Sequence, residues 1–281
     1  MIAPGASGLA GSDAGEIVVA RGPSLGDRLR EWLPAAILFL GFLAVWEVLV
    51  RVFGIKQFIL PRPLAILEQF QLRFPELTGA AAYTFGEVIG GLAIGVVGGL
   101  VVGAATARFV RFRGSFMPFA IAVNSIPIIA FAPVFNNLFG IDSQVSKMMV
   151  AAALCFFPVM INTVRGLLSA PPAALELMRS YAASERETFV RVRLPAAVPY
   201  VFTALRVSAT LATIGAVIGE YFGAPKSSLG QYIVTYTSYL NFERSWAAIV
   251  FACAIGIGLY VTVVVAERLV APWASERAAA P

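Results

Sequence analysis

The side chains able to do chemistry in this 281-residue chain are few, and they sit inside long apolar runs. Asn124, Ser125 and Asn136 stand in one run, Asn162 and Thr163 in the next, and Arg206, Glu220 and Tyr221 in a third. Amides, hydroxyls and single charges placed this way offer hydrogen bonds to a passing polar solute and form no nucleophile–base pair. Histidine is absent, which removes the commonest general base and metal ligand. Cys155 and Cys253 each lie alone in an apolar stretch and read as small buried hydrophobes, so neither a disulfide framework nor a metal site is expected. The three lysines, Lys56, Lys147 and Lys226, follow Ile, Ser and Pro, so the chain has no Gly-Lys dipeptide and no phosphate-cradling P-loop. Any ATP chemistry must come from another subunit.

These residues must be positioned by membrane helices. The chain is 59% hydrophobic and only 13% charged, against about 25% charged residues in soluble domains. A net charge of +5 would point to nucleic acid in a soluble protein; here it reads as basic cytoplasmic loops, with no nucleic acid partner. A span needs about 20 apolar residues. Six segments qualify: 33–53, 83–107, 116–139, 145–168, 196–222 and 246–270. With the N-terminus inside, 14 of the 21 Lys and Arg residues fall on the cytoplasmic side, Arg108, Arg111 and Arg113 being the clearest group. Both termini are therefore expected in the cytoplasm. Residues 1–30 read as a polar, disordered cytoplasmic tail, 31–270 as the membrane domain and 271–281 as a second tail; the first of these lacks the apolar core of a cleaved signal peptide.

Within the spans three patterns stand out. Gly91, Gly95, Gly99 and Gly103 repeat every fourth residue, giving a flat helix face for close packing, either within one bundle or between two copies. Pro118, Pro127 and Pro133 interrupt the third span beside Asn124, Ser125 and Asn136, a combination that marks a solute path. Pro61–Pro75 reads as a short external helix lying on the membrane surface.

The richest segment lies between the fourth and fifth spans, residues 169–195. Pro171-Pro172 introduces a helix over Ala173–Tyr181, Ala182-Ala183-Ser184 breaks it, and Ser184 with Glu187 forms a capping box for a second helix. That second helix is expected to stop at Leu194-Pro195. Two short helices joined by a small-residue turn make a cytoplasmic knob that fits a partner's groove.

This loop resembles the "EAA" coupling loop of permease subunits of binding-protein-dependent ABC importers. Glu176 matches the motif's Glu, and Leu194-Pro195 its close; Leu177-Met178 replace the two alanines, and Ala182 stands where Gly is usual. ILPRP at 59–63, SIPIIAFAPVFNNLFG at 125–140 and PAAVPYVFTALRVSAT at 195–210 are similar to nitrate/sulfonate/taurine-type permeases. The third-span block is also similar to that of members moving riboflavin or thiamine-pyrimidine precursors.

The resemblance implies an all-α integral membrane protein of six transmembrane helices, a type I importer-like bundle in the cytoplasmic (inner) membrane. It implies two cytoplasmic ATP-binding subunits, an external substrate-binding protein and a second permease copy. No cofactor is expected on this chain, with ATP and Mg held by the partner ATPase. Glu176, Arg179, Ala182, Ala183, Ser184, Glu185, Leu194 and Pro195 become the expected coupling contacts. Asn124, Ser125, Asn136, Asn162, Thr163, Arg206, Glu220 and Tyr221 become the expected path residues, for a small polar or anionic solute. The alternative is an ion-coupled secondary transporter. That class relies on embedded ionisable groups and repeated halves, whereas here His is absent, few acids sit at midspan and no repeat is evident.

Overall fold

The structure, a computed structural model, describes residues 25–273, of which 25–32, 110–112 and 115 by backbone alone. The described residues form helices and no strand. They divide into two units, one ending at Leu49 and the other starting at Val50. The first is built from helix α1 (Leu25–Val52), whose Leu33–Val52 stretch is long and apolar enough to span. Its start at Leu25 lies inside the stretch expected to be a disordered tail; 1–24 and 274–281 fall outside the described residues.

The second unit runs through α2 (Pro63–Leu72), α3 (Phe74–Arg108), α4 (Val110–Asn124), α5 (Ala132–Phe139) and α6 (Gln144–Leu168). It continues with α7 (Pro172–Ser180), α8 (Glu185–Thr188), α9 (Leu194–Tyr221), α10 (Leu229–Ser238) and α11 (Phe242–Val270). Helix α2 forms where an external helix is expected. It buries Ala65 and Ile66, and its Phe70 ring stacks on Phe251 of α11 at 4.6 Å.

The third expected span is not one helix. Residues 116–124 and 128–139 meet at a 79° bend, so the described residues give five straight candidate spans, or six if the bent pair counts as one. Pro127 supplies no N–H and drives Ile126 away from helical torsions. A 3₁₀ turn, Ile128–Phe131, then leads into α5, whose first turn contains Pro133. The expected stop at Leu194-Pro195 is also absent. A π-helical turn, Phe189–Arg193, runs directly into α9, whose second residue, Pro195, has no N–H to return to that turn.

Helix α6 is the core of this unit, packed along its length between α3 and α9. The glycine ladder of α3 faces it. A Cβ added to Gly91 would lie 2.5 Å from Ala151 Cβ, one added to Gly95 2.6 Å from the Ala152 carbonyl oxygen, and one added to Gly99 or Gly103 2.8 Å from a carbonyl oxygen of α6. On the other side, Gly215 and Gly166 let α9 approach as closely: added Cβ atoms would meet Ala151 Cα at 2.7 Å and Ala197 Cα at 2.9 Å. Val88, Ala151, Cys155, Ala212 and Ala216 fill the space between the three helices. Lipid tails are as apolar as these side chains, so the helices are held by close packing rather than by expulsion of water.

Gly95→Ala is expected to weaken the fold by about 1–3 kcal/mol, since backbone rather than a flexible side chain blocks the new methyl. Gly98→Ala, whose Cβ would meet only the Phe156 ring at 3.4 Å, is expected to be near neutral. Thermal unfolding of the two variants in one detergent measures the contrast.

Candidate functional site

On the loop between α6 and α9, the sequence builds a compact knob. Pro172 opens α7 in a position that needs no N–H donor. The helix ends with Tyr181 N–H donating to Leu177 O, Ala182 N–H to Arg179 O and Ala183 N–H to Met178 O. That closure holds Ala182 at φ +49°, the left-handed conformation in which helices usually place Gly. Ser184 then starts α8 through a complete capping box: Glu187 N–H donates to Ser184 Oγ at 3.2 Å, and Ser184 N–H donates to Glu187 Oε2 at 2.9 Å.

The knob's surface is mixed. Leu177, Tyr181, Val190 and Leu194 are exposed apolar side chains, and Glu176, Arg179, Ala182, Ser184 and Pro195 are exposed beside them. Ala183 is half-buried. Glu185, expected to face a partner, pairs with Arg108 at the end of α3 at 2.7 Å and stays largely exposed. Both partners are largely exposed, so the pair orients the knob more than it stabilises it.

The polar residues of the spans differ in exposure and in what engages them. Asn124 and Ser125 lie exposed at the 79° break, with Ser125 Oγ donating to Ile121 O. Tyr221 is exposed at the end of α9. Asn162 and Thr163 donate to Pro158 O and Val159 O, four residues back on their own helix. Thr163 is buried against Gly103 of α3. Arg206 is ion-paired with Glu267 of α11 at 3.6 Å and donates to Thr203 Oγ1, so its charge is compensated inside the chain.

Asn136 and Glu220 belong to a buried network. Asn136 Nδ2 donates to Phe222 O at 3.1 Å, and its Oδ1 accepts from Lys147 Nζ at 3.2 Å. Lys147 is fully buried and also donates to Ile141 O. Glu220, fully buried as well, accepts from Thr84 Oγ1 at 2.7 Å and from Gly230 N–H at 2.6 Å. Thr84 Oγ1 in turn accepts from Leu229 N–H at 3.0 Å, so the start of α10 is held by α3 and α9 together.

Two members of this network, Glu87 and Lys147, are not evident in the sequence as site residues. Their signal is helical spacing: Thr84, Glu87, Gly91 and Gly95 recur at three- and four-residue steps, which places Glu87 on the packed glycine face. Lys147 reads as an external loop charge because it lies three residues after the start of its helix.

Comparison with known proteins finds a family and several relatives. Residues 95–275 match the family described as binding-protein-dependent transport system inner membrane component. The chain is 29% identical over 251 residues to the formylaminopyrimidine transport permease protein of Halalkalibacterium halodurans, covering 88% of this chain and 98% of the relative. It is 30% identical over 249 residues to the riboflavin transport system permease protein of Chloroflexus aurantiacus, covering 86% and 91%. It is also 25% identical over 210 residues to a nitrate import permease protein of Leptolyngbya laminosa, covering 71% and 74%.

An alanine in the left-handed region costs roughly 1 kcal/mol relative to glycine. Ala182→Gly is therefore expected to slow amide hydrogen exchange around 180–186, and Ala182→Val to speed it, each by about fivefold.

Proposed function

The chain belongs to the family of inner membrane components of binding-protein-dependent transport systems, and from that membership we propose how it is powered and what it carries. It is a multi-pass permease subunit of an ABC importer. The rest of the assembly follows as our reading: two ATP-binding subunits dock on the knob in the cytoplasm, a binding protein delivers solute outside, and a second copy of this chain completes the path. ATP and Mg belong to the docked subunits. Both termini face the cytoplasm in this arrangement, in keeping with the excess of Arg on that side.

The single observation that carries this reading is the knob, an exposed helix–turn–helix with apolar side chains, joined to a membrane helix without a flexible hinge. ATP binding closes the partner subunits, the knob moves with them, and the permease switches between two states as rigid bodies. Arg179 forms the polar contact and Ala182 and Ala183 fill the partner's groove. Glu185 holds the knob to Arg108.

For the solute, Asn124, Ser125 and Tyr221 are the expected path residues whose side chains stay exposed, and all three are uncharged. Arg206 is neutralised by Glu267, and Lys147 is enclosed. A small polar, uncharged solute of the heterocyclic kind fits this better than a bare anion. Relatives named for formylaminopyrimidine and riboflavin transport point the same way.

In a Cys253→Ser background, Ala183→Cys is expected to crosslink to the ATP-binding subunit in the assembled complex, with a yield that changes on adding ATP. Uptake that persists with a catalytically dead ATPase would instead establish an ion-coupled carrier. The ligand of the co-purifying binding protein settles the solute: a neutral heterocycle is expected, and nitrate or a sulfonate would overturn that assignment.

A further inference from the structure

The buried network at the α3–α9–α10 junction contains a carboxyl group that the importer mechanism does not use. Glu87 is fully buried, and neither of its oxygens receives a hydrogen bond from a donor in the described residues. It stands one helical turn from Thr84 on the same face of α3, and the Thr84 hydroxyl donates to the Glu220 carboxyl across the α3–α9 contact at 2.7 Å. Two ionised carboxylates cannot bond, because each can only accept. A proton on one of them turns the same approach into a short, charge-assisted hydrogen bond.

The division of roles follows from the neighbours. Glu220 already accepts from Thr84 Oγ1 and from Gly230 N–H in the first turn of α10. Glu87 has no such donors, so it is the member that carries the proton. Lys147 on α6 packs against Gly219, the residue before Glu220, while its ammonium hydrogen bonds go to Asn136 and Ile141 O. Asp142, before α6, and the Tyr83 hydroxyl, on α3, complete the titratable surroundings. From α10 the junction receives backbone N–H groups and Gln231, whose Nε2 donates to Glu220 O. With one proton the Glu87–Glu220–Lys147 set is neutral. With none it leaves an uncompensated negative charge where water does not reach, a state that costs several kcal/mol.

We propose that Glu87 donates a proton to Glu220, and that this bond is a pH-dependent clasp joining α3 to the end of α9 and the start of α10. The close fit around it supports this: a Cβ on Gly230 would lie 2.5 Å from Glu220 Cβ and 2.7 Å from its Oε2, so α10 docks only as glycine at that point. The clasp contributes stability while the pair holds its proton and loses it as pH rises and the proton leaves to solvent. Its sign is thus opposite to that of an exposed salt bridge, which weakens in acid.

The test is thermal unfolding of the full chain in lipid nanodiscs across pH, read with a thiol-reactive dye in the Cys253→Ser background, where the buried Cys155 reports separation of α6 from α9. Above the pH at which the pair loses its proton, the Tm of the otherwise wild-type chain is expected to fall by about 3–5 °C per pH unit. Glu87→Gln, whose amide donates to Glu220 without titrating, is expected to keep Tm level over that range. Glu220→Gln is expected to lower Tm at every pH, because Thr84 and Gly230 lose their charged acceptor. The proposal is overturned if Glu87→Gln follows the same pH profile as the parent, or if it is as destabilised as Glu220→Gln. Should neither variant assemble, infrared spectra of the parent decide. A deuterium-shielded protonated-carboxyl band that vanishes over the range of falling Tm supports the clasp, and its absence at every pH overturns it.

Discussion

The bundle depends on how closely α6 can approach its two neighbours. Backbones meet where Gly91, Gly95, Gly99 and Gly103 of α3 and Gly215 of α9 carry no side chain, and carbonyl oxygens of α6 sit where a Cβ would go. In hydrocarbon there is no hydrophobic drive to bring two apolar helices together, so this contact supplies what a water-soluble core obtains from burial. It also sets the geometry of everything polar. Cys155 and Ser208 exchange hydrogen bonds with each other's carbonyl oxygens only because α6 and α9 lie this close.

The same closeness explains why most polar side chains in the spans are internal fittings. A hydroxyl or amide at membrane depth must find a partner inside the protein, and Thr106, Asn162, Thr163 and Thr213 find it in the carbonyl four residues back. Residues released from that duty sit where the helix breaks. The 79° bend leaves Asn124 and Ser125 exposed, and the residues beyond it are anchored by Asn136 to Lys147 and Phe222. In the proposed importer, a break with one fixed side and one open side presents polar groups to a solute without loosening the bundle.

Legibility in the sequence followed the range of the interactions. The knob is specified locally: Pro172, the Ala182 turn and the Ser184–Glu187 box each act within four residues, and each is found where the sequence places it. The spans are legible because apolar length alone specifies them. The bend at Pro127 was visible as a proline but not as an angle, because the angle depends on what α5 packs against. Glu185, Arg206 and Asn136 show the limit best. Each looks free along the chain, and each is engaged by a residue 77, 61 or 86 positions away. Glu87 and Lys147 were concealed for a related reason: helical spacing puts Glu87 on the packed face, but nothing local says that Glu220 meets it there.

These pieces bear on one another through α9. The capping box, the π turn and α9 form one helical run from Glu185 to Tyr221, with no flexible linker between the knob and the membrane. In the proposed cycle, a displacement imposed on the knob therefore reaches the far end of α9 undiminished, apart from what the π turn absorbs. At that far end Glu220 holds the start of α10 and accepts from Thr84 of α3. Arg206 and Glu267 tie α9 to α11 in between, and the close glycine contacts tie it to α6. A helix that is continuous from the knob to this buried polar cluster joins the cytoplasmic loop of the proposed importer to the opposite end of the bundle.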